Sequence, residues 1–143
     1  MPTREDAMTA LLSAIQAQGF FVTTGRRARD PSAIGPAQSP ACFVVVESET
    51  IINPPIGSAK RSLKVTAFVY NDVGNNLNAI PETALNNGVD ALEAALAVDN
   101  FADGRCTLGG VVFAALVRGE VHRAPAELTG KALALVPIEL ILP

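Results

Sequence analysis

The chain has 143 residues, 49% of them hydrophobic and 17% charged, a balance that excludes a disordered or collagen-like polymer. Eleven basic residues against fourteen acidic ones leave a formal charge of −3, so the chain as a whole has no general attraction for nucleic acid. No apolar run reaches the roughly 18 residues of a membrane-crossing helix, and the length implies a single domain over residues 1–143.

The first residues, MPTREDAMTALLSAIQAQGF, carry Glu5 and Asp6 and lack the basic start and long apolar stretch of a secretory signal, so no export is expected. Residues 4–18 read as a helix. Ala7, Leu11, Ala14 and Ile15 recur at helical spacing behind a Thr3 cap, and Gly19 ends the element. Residues 23–40, TTGRRARDPSAIGPAQSP, collect Gly, Pro, Ser and three arginines without an apolar period and are expected to be a long loop or extended arm. ACFVVVESE then reads as a buried strand emerging near Glu47, followed by a turn at NPPIGSAK. In RSLKVTAFVY, Leu63, Val65, Ala67 and Val69 share one face of a strand and Lys64, Thr66, Phe68 and Tyr70 the other. Phe68 and Tyr70 make that second face apolar at one end, so another element or another subunit is expected to cover it.

A second helix is expected from Pro81 to about Val98, with Leu85, Val89, Leu92 and Leu96 inward and Glu82, Asn86, Asp90 and Glu93 outward. Beyond DNFADG, Arg105 to Leu108 reads as a short strand, Gly109 and Gly110 as a turn or bulge, and VVFAALVRGEVH as another strand. APAELTG is a loop. KALALVPIELIL alternates as a final strand, with a phase shift expected at Pro137 and an edge or bulged place for that residue. The order helix, strand, strand, helix and two or three strands predicts an α+β domain, a mainly antiparallel sheet with two helices on one face.

Chemistry is sparse along this order. His122 is the one histidine, and a nucleophilic site would have to combine it with Cys42 or Cys106 without any local signature that positions them; a solvent-facing imidazole explains it. Cys42 and Cys106 sit beside strand-like segments and read as reduced thiols acting as small hydrophobes. Two isolated cysteines and one histidine lack the paired spacing of a zinc site, GRRARD and TLGG are not phosphate loops, and DNFADG lacks the ordered ligands of a calcium hand. No metal or cofactor is expected. Arg26, Arg27 and Arg29 are the densest basic cluster, open to phosphates, to an acidic protein surface or to plain solvation. Without interleaved aromatics they make no stacking platform for single strands.

The elements TREDAMTALLSAIQAQGF, SPACFVVVESE, KVTAFVY, PETALNNGVDALEAAL and KALALVPIELIL, taken in this order, resemble the tail terminator proteins of long-tailed bacteriophages. The resemblance covers most of the chain and lies in the order of elements, not in a catalytic motif. It implies a structural virion protein of the tail or neck, assembled in the host cytoplasm. It also implies a homo-oligomeric ring of six copies that stacks on the tail tube protein, meets a neck or connector protein, and lets DNA pass without binding it specifically. On that reading Arg26, Arg27, Arg29, Phe68 and Tyr70 are candidates for subunit or partner contacts, and Glu82, Asp90 and Glu93 for an acidic lumen. The arginine segment and the glycines at 109 and 110 depart from the family's pattern. Another head-tail connector or tail-completion component, or a small α+β enzyme or ligand-binding domain, are the competing expectations.

Overall fold

The computed structural model describes residues 2–53, 57, 59–72, 74, 80–124 and 131–143. Its elements run α1 (Arg4–Ala17), β1 (Thr23–Gly25), β2 (Ala41–Ile52), β3 (Lys60–Asp72), α2 (Pro81–Ala95), β4 (Ala114–Val117), β5 (His122–Ala124) and β6 (Lys131–Leu142). Short 3-10 turns lie at Pro31–Ala33 and Pro36–Gln38. The described strands form one six-stranded sheet in the order β1-β2-β3-β6-β4, with β5 also paired to β6. Only β1 and β2 run parallel, so the domain is α+β with a mixed, mostly antiparallel sheet.

Period-two burial builds the main core. Cys42 and Val44 of β2, Leu63 to Val69 at alternate positions of β3, and Ala132 to Leu142 at alternate positions of β6 all point to one side. The apolar stripes of both helices close over them: Ala7, Leu11 and Ile15 from α1, and Leu85, Val89 and Leu92 from α2. α1 starts in a capping box, in which the Thr3 hydroxyl oxygen accepts from the Asp6 amide at 3.1 Å and the Asp6 carboxylate accepts from the Thr3 amide at 2.7 Å. α2 lies close against the sheet at Gly88, where a Cβ would stand 2.7 Å from the Val69 Cγ1. α2 ends at Ala95, short of the expected 98, because the chain then turns toward Asp99.

Two expected strands are different in the structure. Arg105 to Leu108 do not extend. Asp99 accepts hydrogen bonds from the Thr107 amide at 2.7 Å, the Thr107 hydroxyl at 2.8 Å and the Gly109 amide at 2.9 Å. The chain curls around this carboxylate, with Leu108, Gly109 and Gly110 at φ of 49°, 73° and 92°; an isolated bridge joins Asn100 to Arg105, and the Cys106 carbonyl accepts from the Ala115 amide at 2.9 Å. The run VVFAALVRGEVH is likewise not one strand, since Arg118–Gly119–Glu120 separates β4 from β5.

That break explains the proline. β6 keeps strict alternation through Pro137, without the expected phase shift. The Pro137 carbonyl accepts from the Arg118 amide at 3.1 Å, so the Pro137 nitrogen, on the same side of the strand, faces the gap between β4 and β5 where no donor is needed. The proline occupies a local edge inside the sheet. Gly119, at φ 120°, lets the chain pass over the ring, 3.2 Å from where its Cβ would stand to the Pro137 Cγ. The expected turn at NPPIGSAK and the loops NDVGNNLN and APAELTG lie largely outside the described residues.

Candidate assembly surface

At its Phe68–Tyr70 end the second face of the sheet is covered by the chain itself. Residues 26–38 leave β1 and cross that face, and Ile34, 1% exposed, packs with Ala41, Phe43 and Tyr70 beside the half-buried Phe68 and Leu133. The arm of the sequence reading is therefore an ordered strap. Tyr70 is 4% exposed and its hydroxyl donates to the Arg29 carbonyl at 2.7 Å, so this side chain offers no surface to a partner; Phe68 stacks beside it and remains partly open. Burial first, and the Asp30 charge second, push the Tyr70 phenol above its ordinary range, which keeps it a donor. Lys131 secures the far end of the strap, its Nζ donating at 2.7 Å to the Ile34 carbonyl and at 2.7 Å to Asp72. The Lys131 hydrogen bond is the main cause that holds the Asp72 carboxyl below its usual range.

The three arginines have separate fates. Arg26 bonds Glu5 of α1, tying the strap to the helix side. Arg29 lies over the Phe43 ring, 5.0 Å from its centroid. Arg27 is exposed and forms no ion pair among the described residues. Together with Gly25 and Asp30 they border a shallow hollow of about 600 Å³ over Phe43. Asp30 also faces it, but its charge is held by Ser32, whose hydroxyl and amide donate at 2.7 Å and 2.9 Å.

The acidic candidates sit at the opposite side of the molecule. Glu82, Asp90 and Glu93 are exposed on α2 and make no ion pair among the described residues. Glu93 borders a groove of about 440 Å³ that runs along the open edge of β4, beneath Leu96, Val98 and Arg105. Arg105 is fixed there by Asp103 at 2.9 Å and by the Phe113 ring, whose centroid is 3.8 Å away.

The groups named for nucleophilic chemistry are not brought together. His122 is exposed on β5, opposite Leu135 and hence on the strap side, whereas Cys42 and Cys106 are free thiols buried in the helix-side core. Burial pushes the Cys42 thiol up to about 12, so it stays protonated and acts as packing. Among the described residues no group of three or more His, Cys, Asp or Glu is placed to hold a metal ion. No described helix is long and apolar enough to cross a membrane.

Residue-type reading missed the sheet edges. β1 and β5 are outermost strands of three residues each, and β2 is unpaired on its outer side beyond Phe43, where Val46, Ile51 and Ile52 are exposed. Their only sequence signal is the apolar ending of β2, which a buried-strand reading absorbs. A scan against protein-family models finds no match, and no curated protein matches the sequence.

Proposed function

We propose that this protein is a structural subunit of a long-tailed bacteriophage, one that closes the tail tube and joins it to the neck as a ring of six copies. The observation that supports the reading is that the two ends of the sheet carry different open strand edges. Different strand edges close the two ends of the sheet, β1 at one and β4 with β5 at the other, while the arginine-bearing strap crosses one sheet face and the acidic face of α2, without an ion pair among the described residues, lies over the other. Such a molecule makes heterologous contacts, in which different patches meet, and a heterologous contact whose rotation closes produces a ring. In the ring, Glu82, Asp90 and Glu93 line a lumen whose negative field keeps passing DNA from adhering. One ring face meets the tail tube protein and the other a neck or connector protein, and the role is architectural, not catalytic, within the virion.

Native mass spectrometry and electron microscopy of the purified protein test this reading. A closed ring with a central opening is the expected image. A monomer that binds a small substrate in the groove beside β4 would replace the reading with an enzymatic or ligand-binding one.

A further inference from the structure

We propose that copies of this chain join edge to edge, β5 of one copy pairing antiparallel with β1 of the next, so that the sheet runs on from subunit to subunit. The proposal rests on the ring reading and names its contact.

The ladder fixes the heights of the two edges. Gly25 is level with Phe43, Phe68, Leu135 and His122 in turn, and Thr23 with Ala41, Tyr70, Leu133 and Ala124. β1 and β5 therefore stand at the same height on opposite sides of the sheet, and both are three residues long. Their directions are opposed: β1 is parallel to β2, and three antiparallel steps separate β2 from β5. A rotation that preserves strand direction sets the β5 of one copy against the β1 of its neighbour as an antiparallel pair, without axial slip. Among the described residues no strand pairs with the outer side of β1 or of β5, and open strand edges recruit further strands.

Charge fits the same register. Arg27 follows Gly25 by two residues and Glu120 precedes His122 by two, so an antiparallel pairing of the edges brings the two side chains to the same end of the contact. Both are exposed, and neither forms an ion pair among the described residues. Shifting the contact to the β2 edge against β4 is barred at this height, since β1 would then occupy the place of β5.

Cysteines at level positions provide the test. Within one chain Thr23 and Ala124 are about 19 Å apart, four strand spacings, far beyond the roughly 7 Å limit between the Cα atoms of a disulfide. Oxidation of the double variant Thr23→Cys, Ala124→Cys is expected to give a ladder of covalent multimers. An equal mixture of the two single variants gives covalent dimers only, and this arm covers the case in which the double variant folds poorly. Multimers in native mass spectra without either crosslink overturn the edge pairing and leave the ring reading standing. Monomers in every preparation overturn both. Separately, Arg27→Glu weakens self-association by about tenfold or more, as close charge pairs at interfaces do. Adding Glu120→Arg to the same chain restores it, and failure of that restoration removes the charge pair from the contact.

Discussion

The two faces of the sheet are held by different means. On the helix side, long apolar stripes from α1 and α2 meet alternate residues of the three long strands in one continuous core. On the strap side a single buried isoleucine, two aromatic pairs that share Tyr70 and a few hydrogen bonds hold an irregular segment in place. The first arrangement joins residues of both helices and of β2, β3, β4 and β6 in one cluster, so it is expected to unfold cooperatively. The second is local. The contrast teaches that the fold depends on the helix side, while the strap is a covering that opens at a smaller free-energy cost.

Leu92→Ala gives the largest expected effect. Leu92 is fully buried between α2 and the sheet, and its truncation should lower the unfolding free energy by about 3–4 kcal/mol in urea titrations, with one transition retained. Ile34→Ala is the matched change on the strap side and should cost less, about 2 kcal/mol, because the strap can settle into the space. Its more telling signature is rapid tryptic cleavage at Arg26, Arg27 and Arg29 under conditions where the helices remain protected from hydrogen exchange. Equal losses of stability and protection for both variants would erase the distinction between the faces.

Gly88→Ala sharpens the account of the helix side. Alanine improves helix propensity, yet its Cβ would stand 2.7 Å from a stiff valine, so a net loss of about 1 kcal/mol is expected in thermal melts. The smallest effect concerns acid. Asp72 is held below its ordinary range by Lys131, and so contributes stability at pH values above the usual carboxylate range that fades as pH falls toward its folded pKa. Because Lys131 also holds the Ile34 carbonyl, hydrogen exchange over residues 31–38 should rise in acid before it rises in α2, and Asp72→Asn should remove that dependence.

Much of the helix side was legible in the sequence for a physical reason. Periods of 3.6 and 2 survive in Ala7–Leu11–Ile15, in Leu85–Val89–Leu92 and along β3 and β6, because one side of each element is buried over its whole length. The strap carries no such period. Ile34 is the one large aliphatic residue in 23–40, and its partners Phe43 and Tyr70 lie in strands whose other face dominates the pattern. RCTL carries a strand-like composition but no strand, because the Asp99 carboxylate accepts from the Thr107 and Gly109 amides in place of a neighbouring strand. Of the candidate surface, the arginines and the acidic helix face were visible as charge, whereas the edges at β1 and β5 emerge only when pairing partners are known. The proposed contact therefore depends on topology more than on composition.

The crossing of Gly119 over Pro137 has a consequence for how this sequence is able to drift. A side chain at 119 would meet the pyrrolidine ring and would also demand a backbone conformation that L-residues rarely adopt. The two positions are thus locked to each other: relatives that keep proline at the second should keep glycine at the first, and those that lose the ring are free to close the gap and merge two short strands into one.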